Sequence, residues 1–244
     1  DSNVCKAILD GLAYLNDIQD QNTAAITAEW DSTYATAETL LALKALGWKY
    51  EDYAGEGSAW LKKSPTKTIA QCLLAASKSG DNSRVDRLVN LLAGRQITTG
   101  DGKGSFENSV YSDMWAYLDL GEAGGLSAID TEAARSYILA KQGADGSWGE
   151  TFGDSYYPDV LSTNQAIRSL TYLPDAASPK VQEAIDKGVL YLKSLQHPDG
   201  GIYAAPFDDP AVDNSELVVT LYRLNQDPAA VEWKNEAGLT PRSE

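Results

Sequence analysis

Apolar residues along this chain recur at helical spacing. Val181, Ala184, Ile185, Gly188, Val189, Leu192 and Leu195 follow the i, i+3, i+4 rule of one buried stripe. Pro179 suits the first turn of that helix and Ser178 its cap. A second kind of segment is apolar on more than one side, as in Leu40, Leu41, Leu43 and Leu46, and so belongs to an inner layer. Segments of this kind cover residues 37–46, 68–77, 112–120, 164–173 and 215–224. They stop at Gly47, Gly80, Gly121, Pro174 and Asn225, residue types that end helices.

The two kinds alternate, and the alternation repeats. An aromatic–aliphatic pair followed by Gln occurs as Tyr14-Leu15 with Gln19, Tyr137-Ile138 with Gln142, and Tyr191-Leu192 with Gln196. Leu91-Leu92 with Gln96 is a weaker copy, and Trp60-Leu61 matches at the front but has Pro65 in place of Gln. Gly11, Gly57, Ala134 and Gly188 stand three residues before four of these pairs. A period of this size is that of a helical hairpin, which cannot bury its apolar face alone and must stack on its neighbours. Each unit reads as an outer amphipathic helix, a Gly/aromatic loop and an inner helix, with hairpins starting near 4, 50, 83, 130 and 179.

The loops carry a family resemblance. Gln142-Gly143-Ala144-Asp145-Gly146-Ser147-Trp148-Gly149 resembles the QW repeat of squalene and terpenoid cyclases. The copy from Lys187-Gly188 to Tyr203 is near-complete, with Tyr203 in the Trp place after one extra residue, and Gln96 to Phe106 is a longer version. Protein prenyltransferase β-subunits share related repeats. The resemblance covers roughly residues 4–226 and implies an all-α fold, an α/α toroid of about five to six hairpins. We expect one domain over residues 1–240, completed near 231–239, with a disordered or linking tail at 241–244.

Tracts at the starts of the inner helices resemble a further group, the corrinoid-binding α-domain of intrinsic factor and transcobalamin. These are Asp31-Ser32-Thr33-Tyr34, Ser162-Thr163-Asn164-Gln165 and Val212-Asp213-Asn214-Ser215-Glu216. That resemblance implies a secreted or cell-surface chain, a small-molecule ligand (a corrinoid) and no required cofactor. Bacterial surface proteins carry toroids of this type, so a neighbouring domain of a longer protein is the other expected partner.

Charge narrows the field. Twenty Lys and Arg against 35 Asp and Glu leave a formal charge of −15, which argues against nucleic acid or an anionic membrane as partner. No apolar run approaches a bilayer span. The first residue is Asp1, so a leader is expected to have been removed or cut away. Cys5 and Cys72 form no CxxC, leaving open one disulfide or two thiols, and the single His197 cannot build a His-rich metal site.

Catalytic motifs of the related families are missing. Alkene protonation in squalene–hopene-type cyclases uses Asp-x-Asp-Asp, and no such tract occurs. Asp208-Asp209-Pro210 with Asp213 misses the Mg²⁺-binding Asp-Asp-x-x-Asp by one residue and reads as a loop, because Pro210 disfavours helix continuation. Neither an Asp/Cys/His zinc set, a thioester segment nor a GxSxG elbow is present. In a toroid the inner helices aim their starts at one mouth of the hollow. Tyr34, Glu38, Tyr111, Asp113, Gln165, Tyr203, Asp213 and Glu216 are therefore the candidate ligand-binding residues, with Trp115 placed to stack on a flat ligand. The leading expectation is a non-catalytic ligand binder. A terpenoid cyclase or prenyltransferase-like enzyme and a structural or adhesive module are the alternatives.

Overall fold

The computed structural model describes residues 10, 11, 13–15, 17, 18, 26, 35, 38, 39, 65–204 and 209–242. The chain divides into two compact units, Asp1–Gly94 and Arg95–Glu244. The described residues are predominantly helical, so the fold is all-α. Tyr34, most of the outer helices predicted from near 4 and 50, and most of the predicted inner helix 37–46 lie outside the described residues, although Glu38 and Thr39 are helical.

In the first unit, α1 (Thr66–Ser79) and α2 (Asn82–Ala93) form a hairpin. Gly80 takes the left-handed conformation (φ 77°) that ends α1, with the Asp81 N–H bonded back to the Ala76 carbonyl. Asp81 then caps α2 by accepting from the Arg84 N–H at 3.1 Å. Ile69, Ala70 and Leu73 of α1 are fully buried, whereas α2 buries only Leu88 and Leu92, so α1 has the inner character its sequence predicts.

The second unit is built from α3 (Val110–Glu122), α4 (Thr131–Ala140), β1 (Trp148–Phe152), β2 (Ser155–Asp159), α5 (Val160–Tyr172), α6 (Pro179–Ser194) and α7 (Pro210–Arg223). Short 3-10 turns lie at Leu126–Ala128 and Val231–Trp233. Helices α3, α5 and α7 begin at evenly spaced positions, and α5 packs between the other two. Helix α6 lies against α5 as the outer layer, where Gly188 meets Ile167 and Trp148 so closely that a Cβ would stand 2.9 Å from each.

One side chain recurs as the staple between hairpins. Gln96 Nε2 donates to the carbonyls of Gly104 (3.1 Å) and Asp130 (3.0 Å), and its Oε1 accepts from the Asp130 N–H (2.7 Å). Gln142 Nε2 donates to Gly146 O (2.9 Å) and Ala184 O (2.8 Å). Gln196 Nε2 does the same to Gly200 O (3.1 Å) and Trp233 O (2.8 Å). Each Gln thus closes its own loop and grips the backbone of the next outer segment. The last grip falls on the Val231–Trp233 turn, which takes the place of a further outer helix.

Two expectations are corrected. The Trp place in the last loop is filled by Ile202, not Tyr203. Ile202 is fully buried and bridges to Gln196 as Trp148 bridges to Gln142. Burial at that spacing decides the slot, and any large apolar side chain fills it. The loop reading of 208–213 also fails, since Pro210 opens α7 with Asp209 as its cap, Asp209 Oδ1 accepting from the Ala211 N–H at 2.9 Å. Pro is tolerated in a first turn, where its missing N–H would have no helical partner. Asp208 lies outside the described residues.

A two-stranded antiparallel ribbon is a further departure from the helical reading. Trp148 pairs with Asp159 and Phe152 with Ser155, and Gly153 (φ 60°) and Asp154 turn the corner. At the other end of the unit, Asn214 Nδ2 donates to Pro241 O at 2.7 Å and Thr240 is buried. The chain is therefore held in place through Pro241, the first residue of the expected tail.

Gly146 supports a direct test. Its φ is 91°, and a Cβ there would meet Lys187 O at 2.5 Å, whereas Gly100 (φ 75°) has open space around it. Gly100→Ala should cost about 1 kcal/mol of left-handed backbone strain, and Gly146→Ala at least twice that, read from urea denaturation midpoints. Gln142→Ala should cost about 1–3 kcal/mol by the same measurement, because two carbonyls lose their donor.

Candidate functional site

The fourth residue of each inner helix in the second unit holds the loop that precedes the helix. Asp113 Oδ1 accepts from the N–H groups of Phe106 and Glu107, both at 2.9 Å. Thr163 Oγ1 accepts from the Trp148 N–H at 2.9 Å, and Asp213 Oδ2 from the Ala204 N–H at 3.2 Å. Asp113 and Asp213 are buried and serve the loops, although both were expected at a ligand-binding rim. A carboxylate near a helix start satisfies nearby backbone donors, and here the folded loop supplies them.

The other candidates are dispersed. The Tyr203 ring stacks on His197 with centroids 3.8 Å apart, and its hydroxyl donates to Asp199 Oδ2 at 2.8 Å, so it is pinned to its own loop. Tyr111 is exposed, and its backbone N–H donates to Glu150 Oε1 at 3.0 Å. Glu38 is exposed in the first unit. Gln165 and Glu216 remain, and they lead to an arrangement of a different kind.

Ile167 turns one face of α5 toward the outer helix α6. At 100° per residue, the opposite face carries Ser162, Gln165 and Ser169. All three are no more than 1% exposed. Yet Ser162 Oγ, both amide atoms of Gln165 and Ser169 Oγ have no hydrogen-bond partner. An unsatisfied buried polar group costs roughly 1–3 kcal/mol, so four such atoms on one stripe are out of place in an ordinary core. In the same register, α3 presents Ser112, Trp115 and Asp119, and α7 presents Val212, Ser215 and Val219. Val212 and Val219 are about half exposed, so the buried polar character does not continue onto α7, whereas Asp119 of α3 is fully buried.

Charge flanks the stripe. Arg168, one step round α5, pairs through Nη2 with Glu216 Oε2 of α7, while its Nε is buried without a partner. Burial pushes the Glu216 carboxyl up, and Arg168 pulls it back down. Nearer the helix C-termini, the Tyr172 hydroxyl donates to Glu122 Oε1 at 2.5 Å and the Arg223 guanidinium lies 3.8 Å over the Tyr172 ring. Desolvation, reinforced by Glu122, raises the Tyr172 phenol to about 12.

Gln165 and Glu216 are thus brought onto adjoining faces through Arg168, whereas Ser162, Arg168 and Ser169 were absent from the sequence-based set. The signal available in the sequence is weak: Ser162, Gln165 and Ser169 fall at i, i+3 and i+7, but Thr163, Asn164, Arg168 and Thr171 make the same helix polar at other positions too. A surface groove of about 490 Å³ lies apart from this stripe, between the Gly100–Lys103 loop and α4, lined by Asp130, Tyr137 and Lys141 among others. Among the described residues no three His, Cys, Asp or Glu side chains gather as a metal site, and no helix is long and apolar enough to cross a membrane.

Asp113 yields a pH prediction. Burial raises its carboxyl to about 6, against the downward pull of the Glu107 and Phe106 N–H groups and of Tyr137. Because the folded value lies above the unfolded one, the folded state gains stability as pH falls through about 6, and that gain is complete below about 4. Asp113→Asn keeps an acceptor and removes the titration. Wild type should therefore gain about 1–3 kcal/mol relative to this variant between pH 7 and pH 4, measured by urea denaturation. Asp113→Ala should be destabilised at both pH values.

No family model matches the chain. It is similar to drimenyl diphosphate synthase of Streptomyces showdoensis, 25% identical over 177 residues that make up 66% of this chain and 32% of that protein. It is also similar to squalene–hopene cyclase of Zymomonas mobilis, 37% identical over 93 residues, 37% of this chain and 13% of that protein. The chain spans about a third or less of the length of these curated relatives. These likenesses support a terpenoid cyclase-like superfamily and do not extend to the corrinoid-binding group.

Proposed function

We propose that this chain is a helical-hairpin domain of the terpenoid cyclase kind whose inner-helix face binds an isoprenoid ligand. The ring implied by the repeats is part of the same proposal. The observation that carries it is the α5 stripe of Ser162, Gln165 and Ser169, buried on the side away from the outer layer and without protein partners. The terpenoid relatives favour this reading over the corrinoid ligand expected from the inner-helix tracts.

The proposed role is to bind and orient the ligand and to exclude water. Protonating an alkene takes an unusually strong acid, and the sequence lacks the Asp-x-Asp-Asp tract that supplies one. Asp113 does not replace it, because a carboxyl raised to about 6 and tied to two backbone donors is too weak an acid. A complete cyclase would draw its acid from outside the residues described.

The test is titration of the full chain with farnesene, a C15 isoprenoid hydrocarbon, and separately with cobinamide, followed by tryptophan fluorescence. Saturable quenching by farnesene alone is expected, and a response to cobinamide alone would overturn the reading. Stability offers an independent check, because residues kept for a ligand are dispensable to the fold. Gln165→Leu should leave the melting temperature unchanged or raise it, since an apolar side chain of similar size removes two unsatisfied atoms. A loss of stability as large as that of Gln142→Ala would mark Gln165 as scaffold.

A further inference from the structure

We propose that the α5 stripe receives the neutral, oxygen-bearing end of an isoprenoid, an alcohol in the first instance, and discriminates against a diphosphate. This rests on the isoprenoid reading above and concerns the ligand's polar end.

The inventory of unpartnered atoms decides the class. Gln165 offers a donor, Nε2, and an acceptor, Oε1, and both are buried and unanswered. Ser162 and Ser169 add hydroxyls that either donate or accept. An alcohol also donates and accepts, so one hydroxyl group can pair with both ends of the Gln165 amide or with the amide and a serine. A diphosphate only accepts. It would leave Gln165 Oε1 facing another lone pair, an arrangement that keeps one buried group unsatisfied and adds repulsion.

Charge points the same way. The stripe is fully buried, and a buried anion requires a cation to answer it. The adjoining cation is Arg168, whose guanidinium already pairs with Glu216. A phosphate drawing on Arg168 would compete with that carboxyl and approach it. In the same register, the packed neighbour α3 carries the buried Asp119, a second acidic side chain, at the level of Ser169. The buried Nε of Arg168 remains as one more donor for a neutral oxygen.

The experiment compares three C15 probes that share one hydrocarbon chain: farnesene without oxygen, farnesol, and farnesyl diphosphate. Each is titrated by calorimetry into the full chain and into Gln165→Leu and Ser169→Ala variants whose folding is checked by circular dichroism. Farnesol should bind at least tenfold tighter than either other probe. Gln165→Leu should weaken farnesol about tenfold while leaving farnesene unchanged or tighter, and Ser169→Ala should weaken farnesol several-fold. Farnesyl diphosphate binding as tightly as farnesol, or farnesol indifferent to both substitutions, would overturn the inference while leaving the isoprenoid reading intact. If none of the three binds, that reading falls with it.

Discussion

The carboxamide of a glutamine, reaching from the end of one hairpin's outer helix to the backbone of the next outer segment, is the contact on which the second unit depends. It occurs at Gln96, Gln142 and Gln196, each time spanning a loop glycine carbonyl and a carbonyl of the following segment. Each loop is thereby closed and its neighbour's position set in one step. The glycines beside these staples have positive φ and lie against the following backbone, because a Cβ would hold the layers apart. With the loops fixed, the inner helices start in register, and their fourth residues, Asp113, Thr163 and Asp213, receive the loop N–H groups.

That register gives α5 its character. Flanked by α3 and α7 and backed by α6, it is buried on almost every side. Three sides are served by packing: Ile167 against the outer layer, Arg168 paired with Glu216, and the face toward α3. The remaining side carries Ser162, Gln165 and Ser169, which the protein itself does not satisfy. Such a cost is what the proposed exchange of stability for binding would carry. The same register leaves Val212 and Val219 of α7 half exposed but keeps Asp119 of α3 fully buried, so the buried polar stripe does not continue onto α7.

Much of the scaffold was legible in the chain. The period of Gln142 and Gln196, the alternation of one-sided and all-round apolar helices, and the stop signal at Gly80 rest on local chemistry that survives in any tertiary setting, whereas Gly121, read as a stop, lies inside α3, which runs on to Glu122. The ribbon at 148–159 departs from the all-helical expectation: Thr151, Phe152, Tyr156 and Tyr157 around Gly153-Asp154 carry a short hairpin signal between two longer stretches of helical period. The assignment of Tyr203 to the Trp place failed for a related reason. Residue type suggested it, whereas depth in the core selects Ile202.

By itself the sequence determined the alternation of outer and inner helices and where the hairpins of the second unit are stapled, because periodicity and turn chemistry act over a few residues. It did not determine which polar residues are left unsatisfied. Asp113 and Gln165 look equally suited to a ligand in the sequence. Only the folded loop shows that Asp113 is taken up by the Phe106 and Glu107 N–H groups, while no hydrogen-bond partner among the described residues meets the Gln165 amide. Satisfaction of a buried polar atom depends on groups from distant parts of the chain, and that is a tertiary property.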